Sequence, residues 1–223
     1  MRTAPDHVGP FADRREAGRE LGRTLDGYAG RDDVVVLALP RGGVPVGYEV
    51  SRAIGSPLDV FLVRKLGVPG HRELAMGALA SGGVRVLDDH LIRHLGIPPE
   101  AVDAITQEEH AELERRESAY RERPPAEVRG RVVILVDDGL ATGSTMKAAV
   151  RAVRQREPSR IVVAAPVGSR EACGELERLA DEVVCARMPA QFAAVGQWFR
   201  DFSQTTDAEV RELLQARDRE QRR

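Results

Sequence analysis

Short apolar runs rich in β-branched residues recur along this chain, and most are followed by a segment with helical spacing. Val34-Val35-Val36-Leu37-Ala38, Leu58 to Val63, Val132 to Val136, Ile161 to Ala165 and Glu182 to Ala186 read as strands. Such continuous runs suit strands buried on both faces. Between them lie predicted helices: Asp13, as a cap, to about Leu25; Pro45 to about Ile54; the segment after Thr145; and Arg170 to about Ala180. Ala17, Leu21 and Leu25 sit at helical spacing in the first of these. The alternation predicts an α/β fold, a parallel twisted sheet flanked by helices. Val84 to Leu87 is a further strand, and Pro99 to about Arg123 a long charged helix. That helix sets Val102, Ile105, Ala111, Leu113 and Tyr120 loosely along one side and a solvated, charge-paired face on the other. A homodimer contact is one job open to it. Residues 1–12 are expected to be an irregular arm.

The texture changes after residue 187. Phe192, Trp198, Phe199 and Phe202 gather the single tryptophan and three of the five phenylalanines into one short stretch. A helix from about Asp207, with Leu213 and Leu214, follows. The expected division is a core over residues 1–187, with its N-terminal helix, and a small C-terminal hood or appendage over 188–223, whose aromatics serve either as the core of a small lobe or as a cover for a site.

The composition, 42% hydrophobic and 30% charged over 223 residues, is that of an ordinary soluble globule. A net charge of −2 gives no reason to expect a nucleic-acid or membrane partner. The N-terminus has no secretory pattern and no run approaches a membrane span, so a cytoplasmic location is expected. Cys173 and Cys185 are expected to be a buried thiol pair.

Chemistry gathers in two strand-to-helix turns. Val132 to Val136 runs into Asp137 and Asp138, then through Gly139 and Leu140 to Ala141-Thr142-Gly143-Ser144-Thr145 and a helix start. Unpaired N–H groups at that helix start favour an anion. Gly143 lets the backbone come close, and Thr142, Ser144 and Thr145 add hydroxyl donors, so the loop suits a phosphate. The two aspartates suit the hydroxyls of a ribose. The earlier turn, Leu39-Pro40-Arg41-Gly42-Gly43, offers a guanidinium able to grip phosphate with two donors. Arg64-Lys65 follows the second predicted strand, at the end where α/β sheets bind ligands. Leu66 to Gly83 is rich in glycine and is expected to be a mobile loop, with His71 and Arg72 as closing ligands. Asp88-Asp89, a second acidic pair without a phosphate loop, is expected to form a turn.

The run VVILVDDGLATGST resembles the phosphoribosyl pyrophosphate (PRPP) signature of type I phosphoribosyltransferases. The Arg41-Gly42-Gly43 turn is similar to their pyrophosphate loop, and the order of the two motifs matches. The resemblance covers residues 34–187 and implies that family's core with a C-terminal hood over the base. It implies a pentosyl transfer in which a nucleobase-like nitrogenous acceptor displaces pyrophosphate from PRPP. Magnesium would be held mainly through PRPP, with no metal site built from protein side chains. Asp137 and Asp138 would hold the ribose, Ala141 to Thr145 the 5′-phosphate, and Arg41, Gly42, Gly43, Arg64 and Lys65 the pyrophosphate. Arg41, Lys65, Asp137 and Asp138 would be the catalytic set. In 6-oxopurine members the position of Ala141 is an aspartate. Alanine cannot exchange a proton, which argues against a hypoxanthine–guanine substrate, and the pattern is closer to adenine-type loops. The same fold also serves as a PRPP-binding regulatory module without catalysis. The retained Arg41-Gly42-Gly43, Arg64-Lys65 and glycine-rich segment favour an enzyme.

Overall fold

The computed structural model describes residues 9–121 and 123–222, with all of their side chains except those of residues 72 and 73. Of the irregular arm expected over residues 1–12, residues 1–8 lie outside the described residues, as does the side chain of Arg72. Numbered along the chain, strands β1 (Val34–Ala38), β2 (Leu58–Val60), β6 (Val132–Val136), β7 (Arg160–Val167) and β8 (Glu182–Arg187) form one parallel sheet. Its order is β2-β1-β6-β7-β8. Every residue of β1 and β6 is buried, and Val34 to Ala38 pair in step with Val132 to Val136.

The strand period of two divides these side chains between two cores. Val34, Val36, Ala38, Ile134 and Val136 join a cluster with α2 (Gly43–Ile54), α7 (Asp207–Gln221) and Leu21 of α1 (Arg14–Thr24). Val35, Leu37, Val133 and Leu135 face the other way, onto α5 (Ser144–Arg154) and α6 (Arg170–Leu176). Each such valine or leucine contributes about 1.5–3 kcal/mol by leaving water. Cys173 and Cys185, free and buried, belong to this second cluster.

Helix α1 is capped by Asp13, whose side chain accepts from Glu16 N, and it packs closely on α2. A Cβ on Gly18 would stand 2.7 Å from the Val46 carbonyl oxygen, and one on Gly22 would stand 2.7 Å from Ala53 Cβ. Two glycines one turn apart thus set the depth of the helix.

The segment after β2 departs from the sequence reading. The chain leaves the main sheet at Phe61, whose N–H still donates to Ala38 O, while Leu62 exchanges hydrogen bonds with Ser81. Val63 therefore begins a different strand. Strands β3 (Val63–Val68), β4 (His71–Ala80) and β5 (Val84–Leu87) form a separate antiparallel sheet: β5 is the expected strand, but β3 and β4 occupy the span where a mobile loop was expected. Its glycines serve tight geometry. Gly70 turns at φ +76°, Gly82 and Gly83 turn at +80° and +74°, and Gly67 sits in a bulge. A Cβ on Gly77 would meet Val86 O at 2.4 Å. Arg64-Lys65 consequently lies inside β3, and His71 opens β4, exposed. Asp88, expected in a turn, caps the short helix α3 (Asp89–His94) by accepting from Leu91 N.

Helix α4 (Pro99–Tyr120) buries Val102 with Leu66, Val68 and Met76 against the small sheet. Its C-terminal end is tied to the main sheet by Asp59 of β2. That buried carboxylate accepts from Arg121 Nε at 2.9 Å, Ala126 N at 2.8 Å and Val60 N at 2.7 Å. Removing one partner of a buried, hydrogen-bonded pair strands the other charge. Asp59→Ala is therefore expected to destabilise the protein by about 3–5 kcal/mol, read as a lower urea midpoint. Asp59→Asn should retain part of that stability, because it keeps an acceptor.

Candidate active site

In the main sheet β1 has β2 on one side and β6 on the other, so strand order reverses there. Ligands of open α/β sheets bind outside the strand ends at such a reversal. The turns after β1 and β6 leave this point together: Leu39 N donates to Val136 O at 2.8 Å, and the Pro40–Arg41 peptide is cis. The glycines after Arg41 are required by contact. A Cβ on Gly42 would lie 2.0 Å from Asp138 Oδ2, and one on Gly43 would lie 2.8 Å from Val136 O.

The acidic pair sits where β6 runs out. Asp137 Oδ1 accepts from Asp138 N at 2.8 Å. Asp138 Oδ2 accepts from Arg14 Nε at 2.8 Å, with the two side chains only 16% and 12% exposed. Burial, and then the charge of Asp138, push the Asp137 carboxyl well above the usual carboxylate range. Burial also raises Asp138, against the opposing hydrogen bond from Arg14. The pair thus offers neighbouring carboxylate oxygens, and the ionisation of Asp138 leans on one arginine.

From Gly139 the loop crosses toward α6. Leu140 N donates to Val167 O, and Ser169 Oγ donates to Ala141 O at 2.8 Å. Gly143, the residue before α5, has φ +66° and lies within van der Waals reach of Ala172 and Leu176, so a side chain there would be strained and crowded. Thr142, Ser144 and Thr145 are exposed at the helix N-terminus, and the hydroxyls of Thr142 and Ser144 are 2.9 Å apart. Their N–H and O–H groups can receive a phosphate.

Beside this loop, a narrow cavity of about 40 Å³ is lined by Arg41, Arg64, Arg116, Tyr120 and Thr145 together with apolar residues. Three guanidiniums at one cavity, next to a phosphate-type loop, suit a second polyanionic group. Each has a carboxylate nearby: Arg41 lies 3.7 Å from Asp207, Arg64 lies 2.5 Å from Glu109, and Arg116 lies 2.7 Å from Glu112, which it shares with Arg115. The Tyr120 hydroxyl donates to Asp207 at 2.5 Å. Lys65, next along β3, is exposed and does not line this cavity. The structure therefore joins Arg41, Gly42, Gly43, Arg64, Asp137, Asp138 and the loop 141–145, while Lys65 lines a neighbouring cavity that shares Arg64. Arg14, Arg116 and Tyr120 were missed by sequence reasoning. A signal for Arg14 existed: it shares a face, at i+4 spacing, with the inward glycines Gly18 and Gly22. Arg116 had none, in a helix full of charges.

Beside the acidic pair, against Arg14 and Gly139, lies the C-terminal aromatic segment. Phe199 packs with Phe11, Trp198 and Phe192, and a Cβ on Gly139 would collide with Val195. Helix α7 then returns to the first core, where Arg217 donates to Ser51 Oγ at 2.7 Å.

A carboxyl whose folded pKa is raised holds its proton after the unfolded chain has lost it. Stability therefore falls as pH rises from the ordinary carboxylate value to the folded one, and stays low above it. Asp137→Asn removes this loss while keeping the shape. Its melting temperature at neutral pH should exceed the wild type's by a few degrees. The gain should vanish near about pH 3, where both carboxyls are protonated. An unchanged neutral-pH melting temperature would show that the buried charge is not destabilising.

The phosphoribosyl transferase domain family matches residues 13–197. Proteins from two Mycobacterium tuberculosis strains, CDC 1551 and H37Rv, provisionally named as phosphoribosyl transferases, are 46% identical over 201 residues. That alignment takes in 90% of this chain, and the chain spans 45% of those relatives' length. The crystal structure of TT1426 from Thermus thermophilus superposes with a TM-score of 0.83 at 45% identity, over 92% of this chain and 97% of that one. No helix among the described residues is long and apolar enough to cross a membrane. With the matched region spanning the acidic pair, the phosphate-type loop and the arginine cavity, the chain belongs to the phosphoribosyl transferase family.

Proposed function

We propose that the chain transfers the 5-phosphoribosyl group of PRPP to a nitrogenous base and releases pyrophosphate. The observation that carries this reading is the continuity of two unlike sites. Thr145 belongs to the phosphate-type loop beyond the acidic pair and also lines the cavity of Arg41, Arg64 and Arg116. A substrate with a phosphate at one end, vicinal hydroxyls in the middle and a pyrophosphate at the other meets all three features.

In the reaction the bond from C1 to the pyrophosphate oxygen breaks, with the electron pair leaving on pyrophosphate. A lone pair on the base nitrogen then forms the new bond to C1. Asp137 and Asp138 hold the ribose hydroxyls and lie beside the positive charge that grows on the ring. The arginines face the negative charge that grows on the leaving group, so positioning and electrostatics supply the catalysis. The 5′-phosphate is anchored by the Thr142–Thr145 loop at the start of α5. Magnesium, when bound, would neutralise pyrophosphate charge through the substrate's own oxygens and water, as suits an ion that rarely uses a protein cage.

The test is incubation with Mg²⁺, PRPP and a panel of bases, followed by pyrophosphate release. Saturable PRPP binding without release for any base would make the chain a PRPP sensor. Arg41→Ala should lower the single-turnover rate by on the order of a hundredfold, because the contact strengthens as the bond breaks. Direct PRPP binding should weaken by much less, and equal losses in both would reduce Arg41 to an anchor. Replacing both Asp137 and Asp138 by Asn should weaken PRPP binding measured by calorimetry. Unchanged affinity in that double variant would remove the ribose assignment.

A further inference from the structure

Arg14 opens α1, and its neighbours show how unusual its position is. Arg15 and Arg19 reach Glu49 from exposed positions, 47% and 51% accessible, whereas Arg14 is nearly buried. Its Nε donates to Asp138 Oδ2, and its Nη1 donates to the Ser203 carbonyl at 2.7 Å. Its guanidinium carbon lies 4.0 Å from the centre of the Phe202 ring and 5.9 Å from that of Phe199. Among the described residues, the charged groups bearing on the Asp138 carboxylate are Arg14 from α1 and Asp137 from its own loop. The turn after β1 presents only the bare backbone of Gly42 to it.

We propose that Arg14 is a positioning residue for the transfer reaction: it orients Asp138 toward the ribose and ties that acid to the C-terminal aromatic segment. The inference rests on the PRPP reading above. The geometry supports it in two ways. The contact uses one carboxylate oxygen, Oδ2, and so orients the other for a ligand hydroxyl. The remaining guanidinium face and Nη1 grip residues 202 and 203, so a shift of that segment is felt at the acid. Burial drives Asp138 toward its protonated form, and the Arg14 hydrogen bond opposes that drive.

A double-mutant cycle of Arg14→Gln and Asp138→Asn, read by calorimetry of PRPP–Mg²⁺ binding, separates this role from general support of the fold. Arg14→Gln alone should weaken binding about tenfold, the size of a coupling within one ion-pair network. In the Asp138→Asn background it should add little. The acid-side loss of PRPP affinity should also move to higher pH in Arg14→Gln, because Asp138 then protonates more readily. Arg14→Lys, which keeps the charge without the fork, should hold the wild-type pH profile while losing part of the affinity. Losses that multiply across the cycle with an unmoved acid limb would overturn the proposal, as would tighter binding by Arg14→Gln, which would make the contact inhibitory. A wild-type protein that fails to bind PRPP overturns the function reading along with it. A wild-type binder with multiplicative losses overturns the role of Arg14 alone.

Discussion

Two carboxylates set at the end of a fully apolar strand are the constraint around which this molecule is arranged. Charge is expensive to hold in a sheltered place, and burial pushes both acids toward their protonated forms, so ionisation needs help. The help comes from Arg14, which lies far away in sequence and must be delivered by packing. Helix α1 can sink onto α2 because Gly18 and Gly22 have no side chains. The turn after β1 can close on Asp138 because Gly42 has none. The segment 199–203 then covers the arginine from the other side. Backbone close approach, charge and aromatic cover are parts of one solution to a solvation problem.

The opposite problem is met at the arginine cavity. Three guanidiniums facing one small space repel each other, yet each leans on a nearby carboxylate, Asp207, Glu109 or Glu112. The Arg41–Asp207 pair is long and well exposed. Exposed ion pairs contribute little net free energy. They therefore moderate the repulsion while leaving Arg41 ready to exchange its partner for a stronger anion. Helix α4 supplies Glu109, Glu112, Arg116 and Tyr120 to this region, which gives a physical reason for so charged a helix.

Strands buried on both faces are legible because every position must be apolar. The expected bounds of β1 and β6 agree with the structure residue for residue. The two turns could be read because small residues, acids and hydroxyls stand out against such strands. In the small sheet β5 was legible, whereas β3 and β4 were not, for a related reason. Its glycines resemble those of a flexible loop, whereas Gly77 exists to let β5 approach and Gly70, Gly82 and Gly83 to turn the chain. Contacts such as Arg14 to Asp138 depend on how deeply one helix sits on another, which composition and spacing only hint at.

The position of β1 has a consequence for how the chain assembles. Its two neighbours are made at very different times: β2 follows almost at once, but the partner on the other edge, β6, emerges only after the small sheet and α4. During synthesis Val34 to Ala38 wait with one row of hydrogen-bonding groups open, a sticky edge among the most apolar residues of the protein. Long-range parallel pairing of this kind is slow, because the loop must close before the pairing is rewarded. The small sheet and α4 bury side chains of their own and fold from local contacts, so they can form inside that interval and shorten the effective span β6 has to cross.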